Sequence, residues 1–478
     1  MSPTWHNHTG DQRCDPREIL RPDSLEALVE LVRRAERDDT TIRMVGAGHA
    51  WSDVALTDGL LLEPDRLSGL LPLDDGCLRS AVASLPLVRV LGGTPLRALN
   101  PALDRDDLAL PNMGGYDAQT IGGVVATSTH GSGVDFGPFP DLVRSLDLVI
   151  AGGEVVRVEP ADGPTDPTNF ATVYGAARRL VQDDDTFDAA VCGMGCLGLV
   201  HSFVLEVRDK FWLNEVRTLD TWENVRDRLT LADLRAAGEH YELFVNPYAG
   251  ADGMHRLLVT VRTPCPRPEH LPPDKLERHP LTELASSIPL TGVLIRWYMR
   301  LFPGTLPKRF DKVLADMRDD GYASVSYRVF NIGAANELPA YSMELGVSIE
   351  DGRHVDAVDR ILEIAERRRR EDGVYHTSPF SLRFVAPSRA YASMMYGGAT
   401  MMIELIMVKG SRRGYELLAG YESELADLGV RPHWGQYNTL KPEDPPRLYP
   451  RWDRWLAVHR QFNSSGVFDS PFTRRIGI

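Results

Sequence analysis

Between Leu110 and Gly133 the chain reads LPNMGGYDAQTIGGVVATSTHGSG. No other stretch limits the possible folds as much. It places six glycines around an apolar run, Ile121, Val124, Val125 and Ala126. A flexible surface loop would not hold that run, because apolar side chains gain by leaving water. A buried backbone wrapped round a flat polar ligand needs this mixture. Small residues give close access, and Thr120, Thr127, Ser128 and Thr129 supply hydroxyls. His130 reads either as a satisfied structural histidine or as a catalyst.

Two further glycine-punctuated segments accompany it. VGAGHAWSD, residues 45–53, follows a strand expected over 41–45. Exposed amides in such a turn form a nest for an anion, although taken alone it reads equally as a structural turn. It is not a dinucleotide fingerprint, because His49 stands where GxGxxG would continue, and it lacks the GK[ST] of a phosphate loop. The third segment is CGMGCLGL at 192–199, ahead of a strand expected over 200–207.

The surrounding pattern is mixed α and β. A helix is expected over 24–37, with Asp23 and Glu26 spaced as a capping box. Strands are expected at 60–62, 87–91, 143–150 and 155–159, the last two joined by a hairpin turn at Gly152-Gly153. Thr94 is expected to cap a helix after 87–91, with Pro95 in its first turn. After residue 210 come strands at 241–245, 257–261, 324–328 and 341–349, and amphipathic helices at 353–370 and 411–427. That is the signature of an α+β layer. The segment 264–273 reads as a proline-rich connector. The charge runs 183–185 and 367–370 read as solvated faces.

At 478 residues two or three domains are expected. With 53 Lys plus Arg against 67 Asp plus Glu the formal charge is -14. That disfavours a nucleic-acid binder, which needs a concentrated positive field. No apolar run reaches about 18 residues, so no membrane helix is expected. Five scattered cysteines do not make a disulfide scaffold. The start of the chain lacks the basic and apolar parts of a signal peptide, so a cytoplasmic protein is expected.

These segments resemble the FAD-linked oxidases of the vanillyl-alcohol oxidase and p-cresol methylhydroxylase type, and within them the sugar-lactone (gulonolactone, galactonolactone, arabinonolactone) and alditol oxidases. Four pieces carry the likeness: 45–53, 110–133, CGMGCLGLVHSFVLEV at 192–207, and RPHWGQYN at 431–438. Trp5-His6-Asn7 and FNSSGVFDSPFTRR at 462–475 add to it. The likeness is thinner over 210–430.

The resemblance implies an α+β fold: a two-subdomain FAD-binding domain over 1–208, an antiparallel-sheet substrate (cap) domain over 209–430, and a segment 431–478 returning to the flavin. It implies FAD, bonded covalently through His49 to the flavin 8α-methyl. It places Gly46, Ala47, Gly48, His49 and Ser52 at the pyrophosphate. Asn112, Gly114, Gly115, Thr120, Gly122, Gly123, Ser128 and Gly131 line the rest, with Gly193, Gly198 and Val200 at the adenine or ribityl side. Residues 110–133 hold no cysteine for a second link, and Cys192 and Cys196 are expected as small buried residues. Gly122 favours an oxidase over a dehydrogenase, by leaving room for dioxygen, against the plainer reading of a tight backbone contact.

On the substrate side the resemblance points to Glu344, Arg383, Glu404, His433 and Gln436. Glu404 is an acid inside an apolar strand, costly unless paired, so a buried pair with Arg383 is expected. Gln436 stands where the family usually has lysine in HWxK, which keeps a donor but removes the charge. Asn438 is a further candidate for the pocket, Tyr327 and Arg328 weaker ones, and Trp434 is expected to pack between domains.

The implied reaction is oxidation of a primary or secondary alcohol of a polyol, sugar or sugar lactone, with dioxygen reduced to hydrogen peroxide. No metal, nucleic acid or membrane is implied. Two enzyme alternatives stand beside it. One is a flavin dehydrogenase with another acceptor. The other is a tailoring oxidase for a larger hydrophobic alcohol, its pocket lined by Tyr391, Met394, Met395, Tyr396, Met401 and Met402.

Overall fold

The computed structural model describes residues 3–73, 76–82, 84–273, 275, 297–332 and 339–478. Its first part begins with three parallel strands in the order Glu18–Leu20, Leu60–Leu62, Ile42–Met44. The helix Leu25–Arg37 connects two of them and buries Leu25, Leu28, Val32 and Ala35. Its cap is Ser24, which accepts from the Ala27 amide, not Asp23. Asp23 lies one residue too early to reach the first free amides.

A six-stranded sheet follows, in the order Arg179–Gln182, Glu154–Glu159, Val143–Ile150, Leu199–Glu206, Leu87–Leu91, Leu70–Leu71. Thr94 does not cap the helix Leu96–Arg105. Its hydroxyl turns back to the Leu91 carbonyl at 2.7 Å, and Pro95 occupies the cap position. Proline suits that position because the first amides of a helix lack partners in any case.

The second part is built on an eight-stranded antiparallel sheet. Its order is Asp319–Val325, Trp212–Thr221, Arg256–Cys265, His240–Val245, Phe380–Val385, Thr400–Val408, Ala340–Ser348, Arg431–Pro432. Because side chains alternate along a strand, the sheet has two unlike faces. One carries Leu243, Leu345, Leu382, Ile403 and Leu405 against the helices Arg353–Asp372 and Gly414–Glu424. The other carries Glu215, Arg217, Arg262, Glu242, Arg383, Glu404 and Glu344 in cross-strand register.

Two differences from expectation arise here. The strand ends at Val325, and Ser326–Phe330 is a helix that buries Val329 and Phe330. Tertiary packing of those two side chains overrides a locally β-like pattern. The ten-residue strand Trp212–Thr221 escapes sequence reading because its polar residues Glu215 and Arg217 are buried too, so hydrophobic alternation is masked.

The chain then returns to its first part. Ile42 donates to the Val467 carbonyl at 2.8 Å, and Arg475 pairs with Asp53 at 2.7 Å. Trp434, fully buried, stacks on Tyr449 and Trp452 at 5.2 and 6.0 Å. Among the described residues no helix is long and apolar enough to cross a membrane.

Candidate active site

A cavity of about 490 Å³ lies between the glycine-rich segments and the polar face of the eight-stranded sheet. Gly46, Ala47, Gly48, His49, Gly114 and Gly115 line it. So do Thr120, Gly122, Gly123, Gly193, Gly198 and Val200. Four residues expected beside them lie behind the wall instead. Ser52 donates to the Trp434 carbonyl at 2.5 Å. Asn112 accepts from the Met113 amide at 2.9 Å and donates to the Ser132 carbonyl at 3.3 Å. Ser128 shares a 2.8 Å hydrogen bond with Ser393. Gly131 is held so close that a Cβ would stand 2.2 Å from Asn112 Oδ1. These four brace the shell rather than line it.

The wall's shape follows from its small residues. Thr120 caps the helix Ile121–Ala126 by accepting from the Gly123 amide. A Cβ at Gly46 would lie 2.5 Å from Thr120 Oγ1, so only glycine lets the two segments meet. Gly48 turns at φ +72°, a region that favours glycine. Arg43, which sequence reading passed over, ties two segments together. Its guanidinium donates to the Val54, Met194 and Gly195 carbonyls, the last two at 2.6 and 3.1 Å. Cys192 and Cys196 are buried free thiols, and burial raises both.

Gly122 lines the cavity and also makes a close backbone contact. A Cβ there would meet the Gly92 carbonyl oxygen at 2.8 Å, and the Gly122 amide donates to the same oxygen at 2.8 Å. The missing side chain therefore serves a tight backbone contact.

His49 stands in the turn with its ring 4.3 Å from His8 and 4.6 Å from Tyr116. Burial, helped by His8 and Arg97, pushes its pKa down to about 4. It is a neutral imidazole at pH 7, with a free nitrogen lone pair.

At the sheet side the expected pair is present within a larger cluster. Arg383 lies 2.9 Å from Glu404, 3.6 Å from Glu344 and 2.9 Å from Glu242. Glu242 was missed, although an acid in an alternating apolar strand is the same signal that exposed Glu404. His130 lies on the cavity wall with Nε2 3.2 Å from Glu344 Oε1. Its Nδ1 lies 2.8 Å from the Gly131 carbonyl and so carries a proton. Burial alone would raise the Glu344 carboxyl. The neighbouring His130, His433 and Arg383 outweigh it and hold Glu344 below the ordinary range.

His433 also lines the cavity. The Gly435 amide donates to its Nδ1 at 3.0 Å, so Nε2 bears the proton and lies 3.5 Å from Thr129 Oγ1. Burial pushes its pKa down to about 4. Neutral His433 is thus a hydrogen-bond donor towards the cavity. Gln436 lines the cavity and accepts from Ser342.

Several weaker expectations fail. Asn438 does not line the cavity; it bonds to the Gln436 carbonyl and Arg475 at 3.0 Å each. Tyr327 packs against the core, and neither it nor Arg328 is on the cavity wall. Tyr391, Met394, Met395 and Met402 belong to one hydrophobic core, Tyr396 packs against it, and Met401 belongs to another. None of the six lines the cavity, so they make no pocket for a hydrophobic alcohol.

Comparison with known proteins agrees with this geometry. Residues 16–159 match an FAD-binding domain, and residues 204–476 match the D-arabinono-1,4-lactone oxidase family. L-gulono-1,4-lactone dehydrogenase of Mycobacterium tuberculosis is 29% identical, over 100% of this chain and 99% of its own. Alditol oxidase of a Streptomyces species is 26% identical over 99% of both chains. Bovine (Bos taurus) L-gulonolactone oxidase is 22% identical over 97% of this chain and 96% of its own. The crystal structure of cholesterol oxidase from B. sterolicum shares the fold, with a TM-score of 0.78 at 15% identity, over 99% of this chain and 96% of the other. The chain belongs to the D-arabinono-1,4-lactone oxidase family and is an FAD-dependent oxidoreductase, with an FAD-binding domain ahead of a sheet-rich second domain.

Proposed function

We propose that the protein oxidises a primary or secondary alcohol of a polyol, sugar or sugar lactone, with dioxygen as the final acceptor. One observation carries the reading. A single cavity joins the glycine wall of the FAD-binding part to a buried carboxylate, guanidinium and imidazole cluster. The wall fits the cofactor: Gly46, Gly48 and Gly123 bring backbone close, and backbone amides neutralise phosphate. That explains how so acidic a chain holds an anion. Bound FAD supplies the hydride acceptor, and its reoxidation by dioxygen gives hydrogen peroxide.

The chain's own residues do the rest. Neutral His433 donates from Nε2 to the substrate oxygen. Gln436 adds a second polar contact, and Arg383 holds the developing alkoxide. Glu344, backed by His130, receives the hydroxyl proton. Glu404 fixes Arg383 against Ser381, whose hydroxyl donates to it at 3.2 Å. His49, neutral in its turn, would hold the flavin through its 8α-methyl. The same proposal divides the chain at 208/209 and 430/431 and places it in the cytoplasm.

The test is a visible spectrum of purified protein, repeated on pellet and supernatant after acid precipitation. Yellow colour in the pellet supports the His49 bond. Colour only in the supernatant overturns that bond and leaves FAD binding intact. A dehydrogenase remains the second reading, favoured by the mycobacterial relative, an L-gulono-1,4-lactone dehydrogenase. An oxygen electrode decides: turnover of L-gulono-1,4-lactone or sorbitol with a dye but without oxygen uptake would favour it.

A further inference from the structure

The ion pairs on the polar face of the sheet share their charge unevenly. At one end Arg383 faces three carboxylates, Glu242, Glu404 and Glu344. At the other end Glu215 faces three cations, Arg262 at 2.7 Å, Lys275 at 2.9 Å and Arg217 at 3.0 Å. Arg262 and Glu242, 3.1 Å apart, join the two halves. The joined network sets four carboxylates against four basic groups, and burial pushes Lys275 down to about 7, so the opening for a further partner lies in one side chain rather than in the summed charge.

Arg217 is the one of those three cations that lines the cavity. It is 7% exposed. One terminal nitrogen engages Glu215, while Nε donates to nothing among the described residues. The guanidinium therefore has donor capacity left over.

Arg217 and Arg383 lie on one cross-strand rung. Arg217 is opposite Thr260, Thr260 opposite Glu242, and Glu242 opposite Arg383. Three strand spacings put the two backbones about 14 Å apart. That is longer than a single lactone ring. Apolar Phe244, Leu314 and Met317 line the same cavity.

We propose that Arg217 anchors an anionic group, a carboxylate in the simplest case, carried on an apolar segment of the substrate remote from the reacting alcohol. The substrate class named above is then narrowed to a polyol or sugar alcohol extended by an apolar arm that ends in an acid. This rests on the proposed function only in taking the cavity as the substrate site.

The test is a calorimetric titration of the FAD-loaded protein with octanoate and with octanamide, which match in length and differ in charge. Octanoate is expected to bind at least tenfold more tightly at low ionic strength. Arg217→Gln should erase the preference, and Arg217→Lys should weaken octanoate several-fold while leaving octanamide unchanged. Equal affinity for the two ligands in the unaltered protein overturns the proposal. So does a preference that survives Arg217→Gln with FAD content intact. Should Arg217→Gln fail to fold, an octanoate affinity unmoved by Arg217→Lys overturns it as well. These affinities are read without turnover. A flavin that no alcohol bleaches would contradict the proposed function and leave this result standing.

Discussion

Glu344 sits where chemistry and burial conflict. It is 4% exposed, and its charge is maintained by His130 and Arg383. Glu344→Gln keeps the shape and removes the proposed proton acceptor. Anaerobic stopped-flow should then show flavin reduction slowed by roughly 10²–10⁴-fold, the usual contribution of a positioned base, with FAD content unchanged. A rate near that of the unaltered protein would move the proton to another residue. His49→Ala should leave the acid pellet colourless while the protein still takes up FAD. Arg383 and Glu404 were legible at this scale because an acid in an apolar strand demands a partner. The roles of His130 and Arg217 were not, because each depends on a carboxylate brought near only by the fold. His130 and Glu344 are far apart in the chain yet 3.2 Å apart in space.

The glycine turns are the elements that hold the shell closed. Gly122→Ala pushes a methyl against the Gly92 carbonyl. It should destabilise the protein by roughly 1–3 kcal/mol, as overpacking does, measurable by urea denaturation. An unchanged midpoint with altered oxygen reactivity would restore the idea of a gap for dioxygen. Arg43→Met removes the donor shared by three buried carbonyls. Each unsatisfied carbonyl costs roughly 1–3 kcal/mol, so this variant should unfold at lower urea and hold less FAD. Elements with a clear apolar period were legible, such as the helix Leu25–Arg37 and the hairpin joining Val143–Ile150 to Glu154–Glu159. The strand Trp212–Thr221 was not, since its buried face carries Glu215 and Arg217, which breaks the apolar alternation that reveals a strand.

Across the whole molecule, acid stability should be limited by buried imidazoles. Burial pushes His49 and His433 down to about 4, and His240 and His376 down to about 3. Each is neutral when folded and takes up a proton more readily when unfolded. Their stability contribution is therefore complete above about pH 6.5 and is lost as pH falls from there towards the folded values. Each pH unit in that window costs each imidazole roughly 1.4 kcal/mol. Asp141 and Asp188, raised by burial to about 6, oppose the trend but are outnumbered. The melting temperature should fall between pH 7 and pH 5, and a flat profile would mean that these histidines are solvated. At this scale the two-part architecture was legible from three glycine segments and a change of texture near residue 210. The polar sheet face was not, because its ion pairs form only when distant strands align. The most direct test is the visible spectrum of the FAD-loaded protein before and after anaerobic addition of L-gulono-1,4-lactone or sorbitol. Bleaching of the flavin bands is the predicted result. A protein that takes up no flavin, or a bound flavin that no polyol, sugar or lactone bleaches, would contradict the account.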